Sequence, residues 1–201
     1  MDINGKKAIV FGGTSGIGLS ATQMLSDKGA HVIALSRNPD KLKNIPKNVT
    51  TKKMNVLDRD ALEKFFQEVG EYDILVNSAT GGARAVGPFL SMDLDGYKAS
   101  FDKLWGYTNV VRYGTKYLKD NGNIVLVSGS PARKCRPGQI AISSVGGAVE
   151  AFARGIAPEI APKRINIVSP GIIDTPMSPL QGKEREDYYK NTTNNNLIPR
   201  A

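Results

Sequence analysis

The sequence contains very little cysteine and histidine, the residues that build disulfides, metal sites and many catalytic sites. Among its 201 residues are one cysteine, Cys135, and one histidine, His31. A single cysteine cannot form an intramolecular disulfide, and one histidine without partners makes neither a zinc site nor a Ser-His-Asp triad. We therefore predict no metal and a structural role for His31. The basic neighbours of Cys135 favour its thiolate, although an inert thiol is the commoner outcome.

Long hydrophobic runs are also missing. No stretch approaches the ~18 to 20 apolar residues of a membrane-spanning helix, and the first residues hold too short an apolar run for a secretory signal peptide. We therefore predict a soluble protein located in the reducing cytoplasm. Lysine and arginine number 27 against 19 aspartates and glutamates, which gives a net charge of +8. This excess favours anionic ligands, either nucleic acids or phosphorylated cofactors.

The sequence does contain a regular alternation of short β-branched runs with stretches of helical periodicity. This alternation predicts a Rossmann-like doubly wound α/β fold, in which helices cover both faces of a parallel sheet. The length predicts a single domain over residues 1–201. The predicted strands cover residues 8–11, 32–35, 49–56, 74–76, 124–127 and 165–168. The predicted helices cover residues 19–28, 61–69 with Asp58 as N-cap, 95–119 and 144–160.

A glycine-rich loop, GGTSGIG, joins the first predicted strand to the first helix. In this context the glycines permit a tight turn, and backbone N–H groups can approach a pyrophosphate at the positive end of the helix dipole. A plain glycine-rich turn is the alternative. We predict a dinucleotide-binding loop with the contact residues Gly12, Thr14, Ser15, Gly16, Ile17 and Gly18.

The end of the second predicted strand indicates which dinucleotide is bound. A carboxylate here would accept hydrogen bonds from a ribose 2′-hydroxyl, but this sequence has Ser36 followed by Arg37. Without a carboxylate there is no repulsion against a 2′-phosphate, and the guanidinium offers that phosphate a bidentate partner. The pair favours NADP(H) over NAD(H), with a solvated surface arginine as the alternative.

With these motifs the sequence resembles the short-chain dehydrogenase/reductase family along nearly its whole length. Residues 11–18 correspond to the family's TGxxxGxG loop, with Phe11 in place of threonine. Three further landmarks match. Asn55 and Val56 correspond to the family's Asp-Val pair at the adenine, and Asn77, Ser78 and Ala79, followed by Thr80, correspond to its NNAG segment. The PGxIxT segment of the family's nicotinamide pocket corresponds to Pro170, Gly171, Ile173 and Thr175. The resemblance implies that these landmarks bind the cofactor and that residues 175–201 form a mobile region that closes over the substrate.

The sequence departs from the family where the catalytic groups should lie. The family's Tyr and Lys, which move the proton, correspond to Ile142 and Gly146, and neither replacement can carry a proton. The position of the catalytic Ser falls on Gly129, and that of the Asn falls near Lys103. The resemblance therefore implies a cofactor site without the usual catalytic set.

Two hypotheses follow. In the first, which we favour, the protein is an NADP(H)-dependent oxidoreductase that acts on a small carbonyl or alcohol with other catalytic groups. Ser130 is then the best donor to the substrate oxygen, with Ser128 as a substitute, and Lys103 or Arg133 supplies a nearby cation. A basic cluster of Arg133, Lys134 and Arg136 could clamp an anionic substrate, or could be a solvated loop.

In the second hypothesis the protein is a catalytically inactive NADP(H)-binding or sensing protein, because it retains the phosphate loop and has lost the proton-transfer set. Nucleic-acid binding is disfavoured, since the basic residues are scattered and no recognition motif or aromatic platform accompanies them.

Assembly is predicted from the resemblance. The family's chain usually continues through another helix and a last sheet strand, so we expect the C-terminal strand to be absent and the sheet edge beside the sixth strand to be uncovered. Family members commonly pair through the two long helices, here residues 95–119 and 144–160, and Gly146-Gly147 would allow close approach. We predict a homodimer through these helices.

Overall fold

The computed structural model describes residues 2–42, 45–80 and 83–201. Within them, six parallel strands form one sheet in the order β3-β2-β1-β4-β5-β6. The strands are β1 (Lys7–Phe11), β2 (His31–Ser36), β3 (Val49–Lys53), β4 (Tyr72–Asn77), β5 (Leu118–Val127) and β6 (Arg164–Val168). The strand order reverses between β1 and β4, and helices lie on both sides of the sheet. The predicted fold class is confirmed.

The α-helices alternate with the strands. They are α1 (Gly16–Asp27), α2 (Arg59–Val69), α3 (Leu94–Ser100), α4 (Asp102–Gly114), α5 (Ile140–Ile156) and α6 (Gly182–Thr193). Asp58 is the N-cap of α2 as predicted, because its carboxylate accepts a hydrogen bond from the Ala61 amide at 3.0 Å. None of the helices in the described part of the chain is long and apolar enough to cross a membrane.

The core has two layers, one on each face of the sheet. Alternate residues of β1 point to opposite layers: Ile9 and Phe11 belong to the larger cluster with α2, α4 and α5, whereas Ala8 and Val10 belong to the cluster beside α1. In the larger cluster the ring of Phe66 stacks on that of Tyr72, with 5.9 Å between centroids. Burial on both faces explains why these strands are continuous apolar runs.

The long helix predicted over residues 95–119 is wrong. The segment forms two helices, α3 and α4, and Leu118 begins β5 in register with Tyr72. A Cβ on Gly114 would lie 2.7 Å from Phe66 Cζ and 2.8 Å from Tyr72 Oη, so α4 meets the core here without a side chain. Leu118 therefore contributes its apolar side chain to a strand, although its spacing also matches a helical face.

Smaller differences concern element ends. The third strand stops at Lys53, three residues before the predicted end, and α5 runs four residues earlier than predicted at both ends. Within residues 175–201, predicted to be mobile, the polar stretch 192–196 begins inside α6, where Thr193 is buried and donates a hydrogen bond to the Tyr189 carbonyl at 2.7 Å. His31 begins β2 as expected and is exposed.

Candidate active site and cofactor site

The glycine-rich loop after β1 is packed against the end of β4. Gly12 has a φ of +75°, and a Cβ there would lie 2.7 Å from Ser78 Oγ and 2.9 Å from the Ala79 nitrogen. Ser78 fixes this contact, because its hydroxyl donates to the Phe11 carbonyl at 3.0 Å. Only glycine fits at this position, so two predicted cofactor segments, the loop and the residues after β4, form one surface.

The loop also packs closely on α1. A Cβ on Gly18 would overlap the Gly12 carbonyl oxygen and Ser78 Oγ. Sequence reasoning missed the importance of Gly13, where a Cβ would lie 2.7 Å from the Val10 carbonyl oxygen and 2.9 Å from Thr22 Oγ1. The doubled glycine after β1 was the available signal. These close approaches leave room for backbone N–H groups, but not side chains, to line the loop.

The first turn of α1 is suited to bind a phosphate. Its N-cap, Ser15, makes no side-chain capping bond, and no acidic residue lies in the first turn. The positive end of the helix dipole is therefore not neutralised by the protein. Thr175 approaches from the segment after β6, since a Cβ on Gly16 would lie 3.4 Å from Thr175 Cβ. The predicted nicotinamide segment thus meets the phosphate loop.

Two buried polar atoms at the ends of β2 and β4 have no hydrogen-bond partner among the described residues. They are Ser36 Oγ and Asn77 Nδ2, while Asn77 Oδ1 accepts from the Ala79 nitrogen at 3.1 Å. Leaving such groups unpaired is unfavourable, so they are candidates to bond a ligand. Arg37 follows Ser36 on the exposed surface. Both positions fit a dinucleotide that extends across the carboxyl edge of the sheet.

The predicted adenine pair, Asn55 and Val56, lies between β3 and α2. Asn55 Oδ1 accepts from the Leu57 nitrogen at 3.1 Å, and the Val56 carbonyl accepts from Asn109 Nδ2 at 3.1 Å. Asn109 is buried on α4. Its supporting role was not predicted, because it lies far from Val56 in sequence.

Lys103 lies in the first turn of α4 and reaches the end of β5. Its Nζ lies 3.3 Å from the Ser128 carbonyl oxygen and 5.4 Å from the centroid of the Tyr107 ring. Burial, and secondarily the positive charge of Arg84, lowers the pKa of Lys103 to about 8. The Tyr107 hydroxyl donates to the Val127 carbonyl at 2.9 Å, and burial raises the pKa of Tyr107. The fully buried ring is thereby fixed beside the ammonium.

Gly146, which the resemblance predicts to stand where the family has its catalytic lysine, packs closely against the segment after β5. A Cβ on Gly146 would lie 2.9 Å from Ala132 Cβ and 3.2 Å from Ser128 Oγ. The Ser128 hydroxyl donates to the Gly146 carbonyl at 3.1 Å. Helix α5 therefore rests directly on the segment after β5, and the hydroxyl of Ser128 is used in that contact. Ile142 is half-buried one turn earlier.

Ser130 lies where the segments after β5 and β6 meet. Its backbone nitrogen donates to the Pro170 carbonyl at 2.8 Å, and it begins a short 3-10 turn, Ser130–Ala132. It is half-buried, and its hydroxyl has no hydrogen-bond partner in the described part of the chain. The Ser130 hydroxyl, unlike that of Ser128, is thus available to donate a hydrogen bond to a ligand.

Arg133, predicted as a cation for the substrate, forms an ion pair within the protein. Its Nε lies 3.0 Å from Glu150 Oε2, and the Ser169 hydroxyl donates to Glu150 Oε1 at 2.7 Å. The bond from Ser169, and then the bond and charge of Arg133, lower the pKa of the Glu150 carboxyl against the opposing effect of burial. Glu150 therefore joins the segments after β5 and β6 to α5, a link that the sequence did not indicate.

The other basic residues of this loop lie elsewhere. Lys134 is exposed, and Arg136 lines a cavity of about 640 Å³ beside the start of α5. Cys135 lines the same cavity, and its Sγ lies 3.4 Å from the Arg136 carbonyl oxygen. The structure thus places Arg136 at this cavity and Arg133 beside Glu150.

A parallel sheet with a glycine-lined loop at its strand-order reversal defines a dinucleotide-binding protein of the Rossmann type. The model of the short chain dehydrogenase family matches residues 6–186. The chain is 33% identical to a 3-oxoacyl-(acyl-carrier-protein) reductase of Thermotoga maritima, across 92% of this chain and 82% of the relative. It is 31% identical to a 2,3-dihydro-2,3-dihydroxybenzoate dehydrogenase of Bacillus subtilis, across 87% of this chain and 72% of the relative.

Solved structures agree with these relatives. A short chain dehydrogenase from Burkholderia cenocepacia in complex with NADP superposes with a TM-score of 0.82 and 28% identity, over 89% of this chain and 77% of that one. The ligand-free aldohexose dehydrogenase of Thermoplasma acidophilum gives a TM-score of 0.88 at 25% identity, over 99% of this chain and 82% of that one. The chain belongs to the short-chain dehydrogenase/reductase family, as its motifs predicted.

Proposed function

We propose that the protein is an NADP(H)-dependent oxidoreductase that interconverts a carbonyl and an alcohol on a small molecule, with Lys103 and Ser130 as its catalytic residues. The observation that carries this proposal is Lys103, a half-buried lysine whose pKa is lowered to about 8 beside the end of β5. A general acid works best when its pKa lies near the operating pH. Lys103 can therefore supply what Ile142 and Gly146 cannot.

The residues fit the cofactor well. The loop of Gly12 to Gly18 would hold the pyrophosphate, and Ser36 with Arg37 would hold the 2′-phosphate of the adenosine ribose. A relative with 28% identity has been solved in complex with NADP, which supports this choice. When bound, the nicotinamide supplies the hydride, and the protein orients the carbonyl and handles the proton.

The roles divide between two side chains. The Ser130 hydroxyl donates a hydrogen bond that orients the substrate oxygen, since it has no other partner among the described residues. The Lys103 ammonium stabilises the negative charge that develops on that oxygen and donates the proton during reduction. Arg133 acts on the site only through Glu150, as a positioning residue.

A second candidate function is an inactive NADP(H)-binding protein. The close packing of Gly146 on Ala132 favours it, because this packing occupies the volume that a catalytic lysine would cross. Calorimetric titration with NADPH, followed by NADPH oxidation assays on a panel of aldehydes and ketones, separates the two. Turnover supports the oxidoreductase, whereas tight cofactor binding without turnover of any carbonyl supports the inactive binder.

A further inference from the structure

Glu150 is a buried carboxylate on the face of α5 that meets the carboxyl end of the sheet. It follows Ile142 and Gly146 at intervals of four residues, so the three lie on one face of the helix. Both of its oxygens are bonded, Oε1 by the Ser169 hydroxyl at 2.7 Å and Oε2 by Arg133 Nε at 3.0 Å. Such bonds compensate a buried carboxylate for its loss of water and hold the side chain in one place.

The two partners of Glu150 come from different segments. Arg133 follows the short turn that Ser130 begins after β5, and Ser169 directly follows β6. The backbones of these segments meet, because the Ser130 nitrogen donates to the Pro170 carbonyl at 2.8 Å. The Glu150 carboxylate adds a side-chain bridge between the two segments and ties both of them to α5.

The segment after β6 lies where one half of the cofactor would bind. The phosphate loop follows β1, and the proposed 2′-phosphate site lies on the β2 side of that loop. A dinucleotide that extends across the sheet must then place its nicotinamide half over the carboxyl ends of β4, β5 and β6. Thr175 supports this placement, because a Cβ on Gly16 of the phosphate loop would lie 3.4 Å from Thr175 Cβ. The segment thus runs from Ser169, bonded to Glu150, to a contact with the phosphate loop.

We propose that Glu150 is a positioning residue that holds the segment after β6 in the arrangement that binds the nicotinamide half of NADP(H). This inference rests on the NADP(H) site of the proposed function. Because Glu150 is buried and both its oxygens are bonded within the protein, it acts through Ser169 and Arg133 and not by contact with the substrate. Loss of the carboxylate should loosen the nicotinamide half and leave the phosphate loop unaffected, since that loop follows β1.

Two ligands that differ in the nicotinamide test the proposal without turnover. NADP⁺ and 2′-phospho-ADP-ribose, which lacks the nicotinamide ring, are titrated calorimetrically into wild type and Glu150→Leu. We expect wild type to bind NADP⁺ more tightly. Glu150→Leu should weaken NADP⁺ binding by about tenfold and leave the affinity for 2′-phospho-ADP-ribose unchanged, because preorganisation is lost only at the nicotinamide. Glu63→Leu, which removes an exposed carboxylate on α2, should keep the wild-type ratio.

The fold should tolerate the leucine. Glu150→Leu leaves no buried charge unpaired, because the Arg133 side chain is 73% exposed and its charge stays in water. Ser169→Ala is a milder variant that removes one hydrogen bond to Glu150. It should change the ratio of the two affinities in the same direction, and it decides the question if Glu150→Leu does not fold.

Three results would overturn the proposal. They are equal binding of the two ligands by wild type, an unchanged ratio in Glu150→Leu and Ser169→Ala, and an equal loss of affinity for both ligands, which would leave Glu150 a structural role only. NADPH oxidation assays with the carbonyl panel keep the two proposals distinct. If no carbonyl is reduced while the ratio changes as expected, the oxidoreductase function fails and the role of Glu150 stands. If carbonyls are reduced and the ratio does not change, only the inference about Glu150 fails.

Discussion

At the scale of single residues, Arg37 determines which cofactor we expect the protein to prefer. A charge-assisted bond to the 2′-phosphate contributes roughly 1.5 to 3 kcal/mol, which corresponds to a preference for NADP(H) of roughly ten- to a hundredfold. Arg37→Asp should reverse the preference by repelling the phosphate, and added salt should weaken NADP(H) more than NAD(H). Fluorescence titration of both cofactors measures the effect, with Lys64→Asp as a charge control. Equal affinities in the wild type would refute the assignment.

Lys103 makes the reaction depend on pH in a defined direction. Reduction requires the protonated ammonium, and burial together with Arg84 lowers the pKa of Lys103 to about 8. We therefore expect kcat/KM for reduction, which reports the enzyme without bound substrate, to be constant below about pH 8 and to fall above it, where an ordinary lysine would remain protonated.

Substitution of Lys103 tests its role in proton transfer. Lys103→Met should lower kcat by about 10² to 10⁴-fold and abolish the inflection, while leaving the NADPH affinity unchanged. Lys98→Met, an exposed lysine on α3, is the matched control and should retain the wild-type profile. A Lys103→Met enzyme with full activity and an unchanged pH profile would exclude Lys103 from proton transfer.

At the scale of elements, substitutions at two adjacent glycines of α5 distinguish the cost of overpacking from the gain in helix propensity. A Cβ on Gly146 would lie 2.9 Å from Ala132 Cβ, whereas one on Gly147 has no atom within 4 Å. Gly146→Ala should destabilise the protein by about 1 to 3 kcal/mol through overpacking, and Gly147→Ala should stabilise it by up to about 1 kcal/mol. Urea denaturation of both variants measures the difference. Equal stabilisation by the two substitutions would show that α5 does not rest on Ala132 as described.

The same contact limits any reconstruction of the family's catalytic pair. Ile142→Tyr with Gly146→Lys would restore the residue types, but the lysine must pass Ala132. We expect the double variant to be inactive or unstable, and added Ala132→Gly to relieve the contact. The expected outcome follows from the close contact of Gly146 with Ala132, which the sequence alone does not reveal.

The sequence predicted the fold and the phosphate loop because both depend on local patterns. Short apolar runs and the spacing of Gly12, Gly16 and Gly18 are readable without any long-range contact. Contacts between distant residues were not readable. The ion pair of Arg133 with Glu150 and the hydrogen bond from Lys103 to the Ser128 carbonyl arise only when α5 and α4 pack against the segment after β5. The end of α4 at Gly114 was missed for the same reason, because the side chains that Gly114 contacts, Phe66 and Tyr72, belong to α2 and β4.

At the scale of the whole molecule, the outer face of α4 and α5 is our predicted dimer interface. Trp105 is 55% exposed on α4, which is unusual for an aromatic of this size, and Gly147 on α5 leaves open space for a partner helix. Trp105→Glu should produce a monomer at micromolar concentration, since it places a charge in an apolar interface. Light scattering of wild type and variant measures this directly.

The fluorescence of this single tryptophan should also shift to longer wavelength when the wild-type dimer dissociates on dilution. Lys64→Glu, on α2, should leave the dimer intact. A wild-type monomer at the same concentration would show that this face has no partner copy.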